Sequence, residues 1–250
     1  MFTKILIMDI NISNSKNVLG EAAAKQGASL IRKSIAQNGI ANIIVATGAS
    51  QFEMLEVLIH EDINWSVVTC FHLDEYIGLP ESHPASFRKY LKERFADIVK
   101  PLAFHYVNGE GDVKKECQRL HDIIIKHPID VAFVGIGENA HLAFNDPPAD
   151  FDIEDSYLDV TLDLPCRMQQ LGEGWFNSIN EVPTNAISMS INRIMQSKHI
   201  ICSVPDKRKK EAIDKVVNGK VSPDVPASIL QKHNSTFLYL DKESSFLLNQ

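Results

Sequence analysis

The chain has 250 residues, 44% of them hydrophobic, and its 25 basic and 32 acidic residues leave a formal charge of -7. That length holds one large α/β domain or two small ones around a proper core, and the acidic balance opposes loose attachment to nucleic acid or to an anionic membrane surface. Cysteines at 70, 117, 166 and 202 stand too far apart for a CxxC zinc or redox motif and are too few for a disulfide framework, so reduced thiols in a cytoplasmic protein are expected.

MFTKILIMDI opens the chain with a strand-like run broken by Asp9. No small-residue cleavage signature follows, and no stretch reaches the roughly 18 to 20 apolar residues of a membrane helix, so neither a signal peptide nor a membrane span is expected. Val18 to Asn38 carries apolar residues at helical spacing and stops at Gly39. ANIIVATGAS reads as a buried β-branched strand that ends in a small-residue turn, and QFEMLEVLIHE as the helix after it. The unit recurs. A strand at Ser66 to Phe71 precedes a helix at Pro84 to Val99, AFHYV precedes one at Asp112 to His127, and IDVAFVG precedes GENAHLAFNDPP. AISMSI and HIICSV then lead to DKRKKEAIDKVVNG, a helix with Asp206 as N-cap and Gly219 beyond its end.

Strands alternating with helices predict an α/β, three-layer fold: a mostly parallel sheet with helices on both faces, doubly wound and Rossmann-like. Ligands of such folds bind at the carboxyl ends of the strands. No repeat, low-complexity segment or Gly/Ser linker divides the chain, so residues 1–250 are expected as a single domain. A small lid or flap would escape this patterning.

The candidate site residues sit where strands run out. Thr47, Gly48, Ala49 and Ser50 offer hydroxyls and backbone N–H groups at a helix start, suited to a phosphate or to a plain tight turn, and they lack the Gly-Lys-Ser/Thr of a nucleotide loop. Asp74 and Glu75 follow the next strand. Adjacent carboxylates are usually solvated, but one held at a strand end can move a proton at carbon. His72 is expected to pack or hydrogen-bond locally.

Asn139, His141 and Asp146 are the vocabulary of a turn and equally of an acid/base unit. Gly135, Gly137 and Ala140 spell GxGxxA, but NDPP breaks the chain where a dinucleotide-binding helix should begin, which argues against a nicotinamide cofactor. His72, Asp74, His141 and Asp146 match no compact zinc motif, so no metal is expected. Lys207 lies in the first turn after a strand, placed to grip an anion with the helix N-terminus, while Lys209 and Lys210 are expected on a solvated face.

Together these segments resemble the glucosamine-6-phosphate deaminase and 6-phosphogluconolactonase superfamily, and specifically its amino-sugar-phosphate branch. The resemblance runs from ATGAS to about residue 240. It rests most on the pairing, about sixty residues apart, of LDEYIGLPESHPASF with VGIGENAHLAFNDP. The lactonase branch typically reads GHTASLFP after its glycines, so AFNDPP leans toward deaminase or isomerase.

The resemblance implies conversion of glucosamine 6-phosphate to fructose 6-phosphate and ammonia without cofactor or metal. It assigns Asp74 as the base that moves a proton from carbon 2 to carbon 1 and His141 as the ring-opening group, with Asn139 and Asp146 orienting the imidazole. It assigns Thr47, Gly48, Ala49, Ser50 and Lys207 to the phosphate, with Arg167 as a further contact. Members are often oligomeric, which leaves a homo-oligomer open.

The chain departs from the pattern at four positions. Asn139 stands where the better-known deaminases have aspartate, Asp146 where they have glutamate, and Ala140 and Ala49 where they have glycine. Either alanine would be strained if its site requires a positive φ. The galactosamine epimer, a lactone substrate and a non-catalytic sugar-phosphate sensor remain as alternatives. The sensor would need a partner, because no DNA-binding helix pair is evident.

Overall fold

The computed structural model of the chain describes residues 8–249. Its strands are β1 (Asp9–Ser13), β2 (Ala41–Val45), β3 (Val68–His72), β4 (Asp74–Tyr76), β5 (Ala103–His105), β6 (Val131–Val134), β7 (Tyr157–Thr161), β8 (Asn185–Met189), β9 (His199–Val204) and β10 (Thr236–Asp241). Seven of them form one sheet in the order β1-β10-β9-β6-β2-β3-β5, every pairing parallel. The expected three-layer, doubly wound α/β fold is present.

Continuous apolar strands such as ANIIV and VAFV are buried along their whole length because both faces of the sheet are covered. Alternate side chains divide between the faces. Ile43, Val45, Phe133 and Ile201 point toward α1 (Lys16–Asn38) and α2 (Phe52–Leu58). Ile44, Ala132, Val134 and Cys202 point toward α5 (Val113–Ile124), α7 (Ile191–Met195) and α8 (Lys210–Asn218). Helix α1 begins two residues before the predicted Val18, because Ser15 accepts the Val18 N–H as N-cap, and it stops where Gly39 turns left-handed at φ 78°. The predicted helix at Pro84 to Val99 starts only at Phe87, with Ser86 as N-cap. It runs as α3 (Phe87–Leu91), a π-helical turn at Lys92–Ala96, and α4 (Asp97–Val99).

One expectation is corrected. AISMSI is not a strand of the parallel sheet: β8 pairs antiparallel with β4 and β7 in a second, three-stranded sheet of order β4-β8-β7. DEY, expected just past a strand, follows β3 by one residue and is itself a short strand, β4. The strand-like opening run lies mostly outside the described residues, and the strand found there is Asp9–Ser13. The small sheet and α6 (Leu164–Gly172) enclose their own apolar cluster, in which the Tyr76 ring lies 5.0 Å from Phe87, 5.4 Å from Phe144 and 5.7 Å from Phe176. Among the described residues no helix is long and apolar enough to cross a membrane.

Candidate active site

From β2 the chain builds outward through β3 and β5, then returns to β6 on the other side of β2 and continues through β9 to β10. Connections leaving the carboxyl ends of β2 and β6 therefore diverge, and divergence of this kind opens a crevice. A cavity of about 530 Å³ lies there, lined by the turn after β2, the start of β4, the loop after β6 and the first turns after β9.

Thr47, Gly48, Ala49 and Ser50 all line it. Gly48 has φ 95° and ψ 161°, a conformation that glycine alone takes readily, whereas Ala49 opens the short helical turn Ala49–Gln51 without a positive φ. The strain anticipated at Ala49 is absent. Gln51, fully buried, donates from Nε2 to the carbonyls of Val134 at 3.1 Å and Ser203 at 3.4 Å, which ties the turn to the ends of β6 and β9. The Thr47 hydroxyl is buried without a hydrogen-bond partner.

Asp74 and Glu75 are both buried, not solvated, and they do different things. Asp74 lines the cavity; burial and the neighbouring Glu75 push its carboxyl up to about 8. Glu75 does not line the cavity and turns to the start of α3. It accepts hydrogen bonds from the N–H groups of Tyr76, Phe87 and Arg88 and from the Ser86 hydroxyl. Burial raises its carboxyl to about 7, less far than Asp74, because these four donors oppose the shift. His72 is wholly buried. Its Nδ1 accepts from the Val107 N–H, and burial lowers its pKa to about 3, so it stays neutral.

The loop after β6 holds His141 against the cavity. The Gly137 N–H donates to the His141 carbonyl at 3.0 Å, and Asn145 donates to Leu142 O and Met189 O, pinning the loop between both sheets. Ala140 has φ 68° and Ala143 φ 53°, so the strain anticipated at Ala140 is present.

Asp146 Oδ1 lies 3.1 Å from His141 Nδ1, but obliquely, and the ring nitrogen makes no aligned hydrogen bond. The Asn139 carbonyl accepts from the His141 backbone N–H and does not reach the ring. Its amide donates instead to Asp146 at 3.0 Å and to Asp163, while the Asp163 N–H donates to Asp146 Oδ2 at 3.0 Å. Burial works against ionisation of Asp146, yet His141, Asn139 and the Asp163 N–H outweigh it and hold that carboxyl below the usual range. Contrary to expectation, the asparagine positions the aspartate and not the imidazole.

Gly137 is needed for a close approach. A Cβ there would stand 2.2 Å from both Cε1 and Nε2 of His141. Gly137→Ala is therefore expected to displace the imidazole and lower kcat by about 10²-fold with folding intact. Steady-state rates beside a thermal melt check it, and an unchanged kcat would show that the ring position is immaterial.

Two predicted anion contacts are misplaced. Lys207 is exposed and off the cavity, whereas Lys209 is buried and lines it. The physical reason is helical phase: Lys209 lies three, four and seven residues before buried Ala212, Ile213 and Val216, so it shares their inward face. Burial lowers the Lys209 pKa, and Arg208 adds to this, opposed by Glu173, Glu138 and Asp206. Arg167 does not reach the cavity. Its Nη2 donates to the carbonyls of Ile179 and Val182, and so fastens the segment after α6.

Arg208, Gln169, Gln170 and Glu173 line the cavity and were not singled out from sequence. The Gln169 carbonyl accepts from the Glu138 N–H at 2.8 Å, Gln169 Nε2 donates to Glu173 at 3.1 Å, and Gln170 accepts from the Tyr76 hydroxyl at 2.6 Å. The signal available was three polar residues at i, i+1 and i+4 on a short amphipathic helix, which does not by itself reveal a cavity.

The family model for glucosamine-6-phosphate isomerases and 6-phosphogluconolactonase matches residues 14–161. Glucosamine-6-phosphate deaminase of Clostridium acetobutylicum is 38% identical over 96% of this chain and 100% of its own. That of Oenococcus oeni is 33% identical over 97% and 100%. Among solved structures, a monomeric glucosamine-6-phosphate deaminase superposes with a TM-score of 0.87 at 30% identity, over 96% of this chain and 100% of that one. The 6-phosphogluconolactonase of Thermotoga maritima superposes at 0.78 over 94% and 100%, and at 14% identity it speaks for the fold alone.

Proposed function

The chain belongs to the glucosamine-6-phosphate isomerase and 6-phosphogluconolactonase family, and on that premise we propose that it is an amino-sugar-phosphate deaminase converting glucosamine 6-phosphate and water to fructose 6-phosphate and ammonia. One observation carries the reading: a buried carboxylate, Asp74, shares a cavity with His141 and with the turn Thr47 to Ser50.

In this reading the turn at Thr47 to Ser50 and Lys209 hold the phosphate; supporting it, both line the one cavity, the Thr47 hydroxyl has no hydrogen-bond partner, and Lys209 supplies a cation. His141 passes a proton between the anomeric hydroxyl and the ring oxygen, opening the sugar. The carboxylate of Asp74 takes the proton from carbon 2 to leave an enolamine, and returns it to carbon 1. Water then adds to the carbon 2 iminium, and collapse of that adduct expels ammonia. A carboxyl raised to about 8 is a stronger base than an ordinary aspartate and accepts a carbon-bound proton with less penalty. Asp146, fixed by Asn139 and Asp163, supports the imidazolium.

The deciding assay offers glucosamine 6-phosphate, galactosamine 6-phosphate and 6-phosphogluconolactone separately and follows ammonia, ketose phosphate and acid. Ammonia from the glucosamine substrate is the expected result. Lactone hydrolysis alone, or binding with no turnover, would overturn it. The phosphate assignment has its own test: Lys209→Ala is expected to raise KM by about 10- to 100-fold, the loss of one charge-assisted hydrogen bond, while Lys207→Ala leaves KM unchanged. The reverse pattern would restore Lys207 to the site.

A further inference from the structure

Cys166 has no part in the chemistry described above, yet it lies against two residues that do. One ligand atom each from His141, Asp146 and Cys166 falls within 4.8 Å of the others, and none of the three belongs to the same loop turn or helix as both partners. We propose that these residues form an inhibitory zinc site that captures the ring-opening histidine.

The donor set suits the ion. Thiolate, imidazole and carboxylate are the ligands zinc takes, and three protein donors leave the fourth tetrahedral position to water. Bond lengths of about 2.0 to 2.3 Å at tetrahedral angles put ligand atoms about 3.3 to 3.7 Å apart, so the His141 and Asp146 pair, at 3.1 Å, is already near that spacing and the thiol has about 1 Å to close.

A second, independent observation points the same way. The His141 side chain is 9% exposed, and its Nδ1 stands 3.1 Å from Asp146 Oδ1 without an aligned hydrogen bond, so a buried ring nitrogen and a carboxylate oxygen face one another with neither bonded to the other. The remaining oxygen of Asp146 is held by the Asp163 N–H, and the Asp163 side chain accepts from the Cys166 N–H, so the first turn of α6 is locked onto the aspartate. A ligating carboxylate supported in this way is preorganised for an ion.

Binding exchanges one proton. The Cys166 S–H bond breaks, its proton leaves to solvent, and a sulfur–zinc bond forms, while the imidazole of His141 binds through its Nδ1 lone pair in the tautomer that carries the ring proton on Nε2. The ring can then no longer accept a proton at Nε2. Inhibition follows if the deaminase reading holds, and that part of the inference rests on it.

The test has an optical arm that needs no turnover. Chelator-stripped protein titrated with Co(II) is expected to develop the sulfur-to-metal charge-transfer band and visible bands of a tetrahedral thiolate site, and added Zn(II) should abolish them by displacement. Cys166→Ser should lose the charge-transfer band and bind zinc more weakly by about 100-fold or more, measured against a chromophoric chelator. In the ammonia assay, Cys166→Ser should keep metal-free activity and resist zinc concentrations that silence the parent. Absence of the band in the parent protein, or its persistence in Cys166→Ser, would overturn the site whatever the substrate proves to be. Loss of the band in Cys117→Ser instead would do the same, by moving the ion to another thiol.

Discussion

Asp74→Asn is expected to lower kcat by about 10²- to 10⁴-fold with little change in KM, and at the same time to make the protein more stable at neutral pH. Both effects come from one fact. The carboxyl is buried beside Glu75, and its pKa stands at about 8 against an ordinary value near 4. Between those values the folded protein holds a proton that the unfolded chain releases, so the contribution of this group to stability is fully present below about pH 4 and is lost as pH rises through about 8. Asparagine never ionises and escapes that loss. The gain at pH 7 should be on the order of 1 to 4 kcal/mol and should fade toward pH 4.

Activity runs the other way, because a base must be unprotonated: kcat/KM of the parent should climb about tenfold per pH unit up to about 8. Melts of both proteins at pH 4, 5.5 and 7, with kcat measured beside them, decide the matter. A variant that is inactive yet no more stable at pH 7 would mean that Asp74 is ionised at little cost, and its role as a tuned base would fall.

How much of this was legible in the sequence depended on distance along the chain. Asp74, His141 and the turn at Thr47 each follow a strand within a few residues, and a parallel sheet brings all its carboxyl ends to one side, so chain position alone located the cavity. Proximity to the strand end points to Lys207, whereas helical phase, readable from Ala212, Ile213 and Val216, points to Lys209. AISMSI shows how little a buried run says about which sheet it joins: a strand with four of five residues buried suits the large sheet and the small one alike. The three-residue β4 was too short for any alternation to register. Arg167 could not have been placed, since its partners Ile179 and Val182 are carbonyls, which carry no residue-type signature. Asn139 was legible as a departure from the family pattern but not in its consequence, because Asp163, the carboxylate it joins to Asp146, belongs to the cap of a separate helix.

Glu75→Ala should be the most destabilising substitution among the site's neighbours, by about 3 to 5 kcal/mol, although Glu75 does no chemistry. Its side chain is fully buried, and its oxygens take the N–H groups of Tyr76, Phe87 and Arg88 at 2.9, 3.3 and 2.7 Å and the Ser86 hydroxyl at 3.0 Å. Phe87 and Arg88 are the first two residues of α3, whose N–H groups have no partner inside the helix. One carboxylate thus caps that helix from another strand and joins it to the small sheet. Alanine would leave four buried donors unsatisfied and remove a fully buried side chain. At about 2 to 4 °C per kcal/mol for a chain of this size, Tm should fall by roughly 6 to 20 °C. Glu75→Gln should fall between the two, since its carbonyl still accepts while its amide confronts a donor. The contrast with Asp74 is the sharper test: Asp74 and Glu75 are both buried and both raised, but only Glu75 is bonded by four donors, so neutralising Asp74 should raise Tm at pH 7 while Glu75→Gln should lower it, the clash of its amide with a donor outweighing the relief of its raised carboxyl. If Asp74→Asn and Glu75→Gln shift it the same way, the division between a reacting carboxylate and a structural one is wrong.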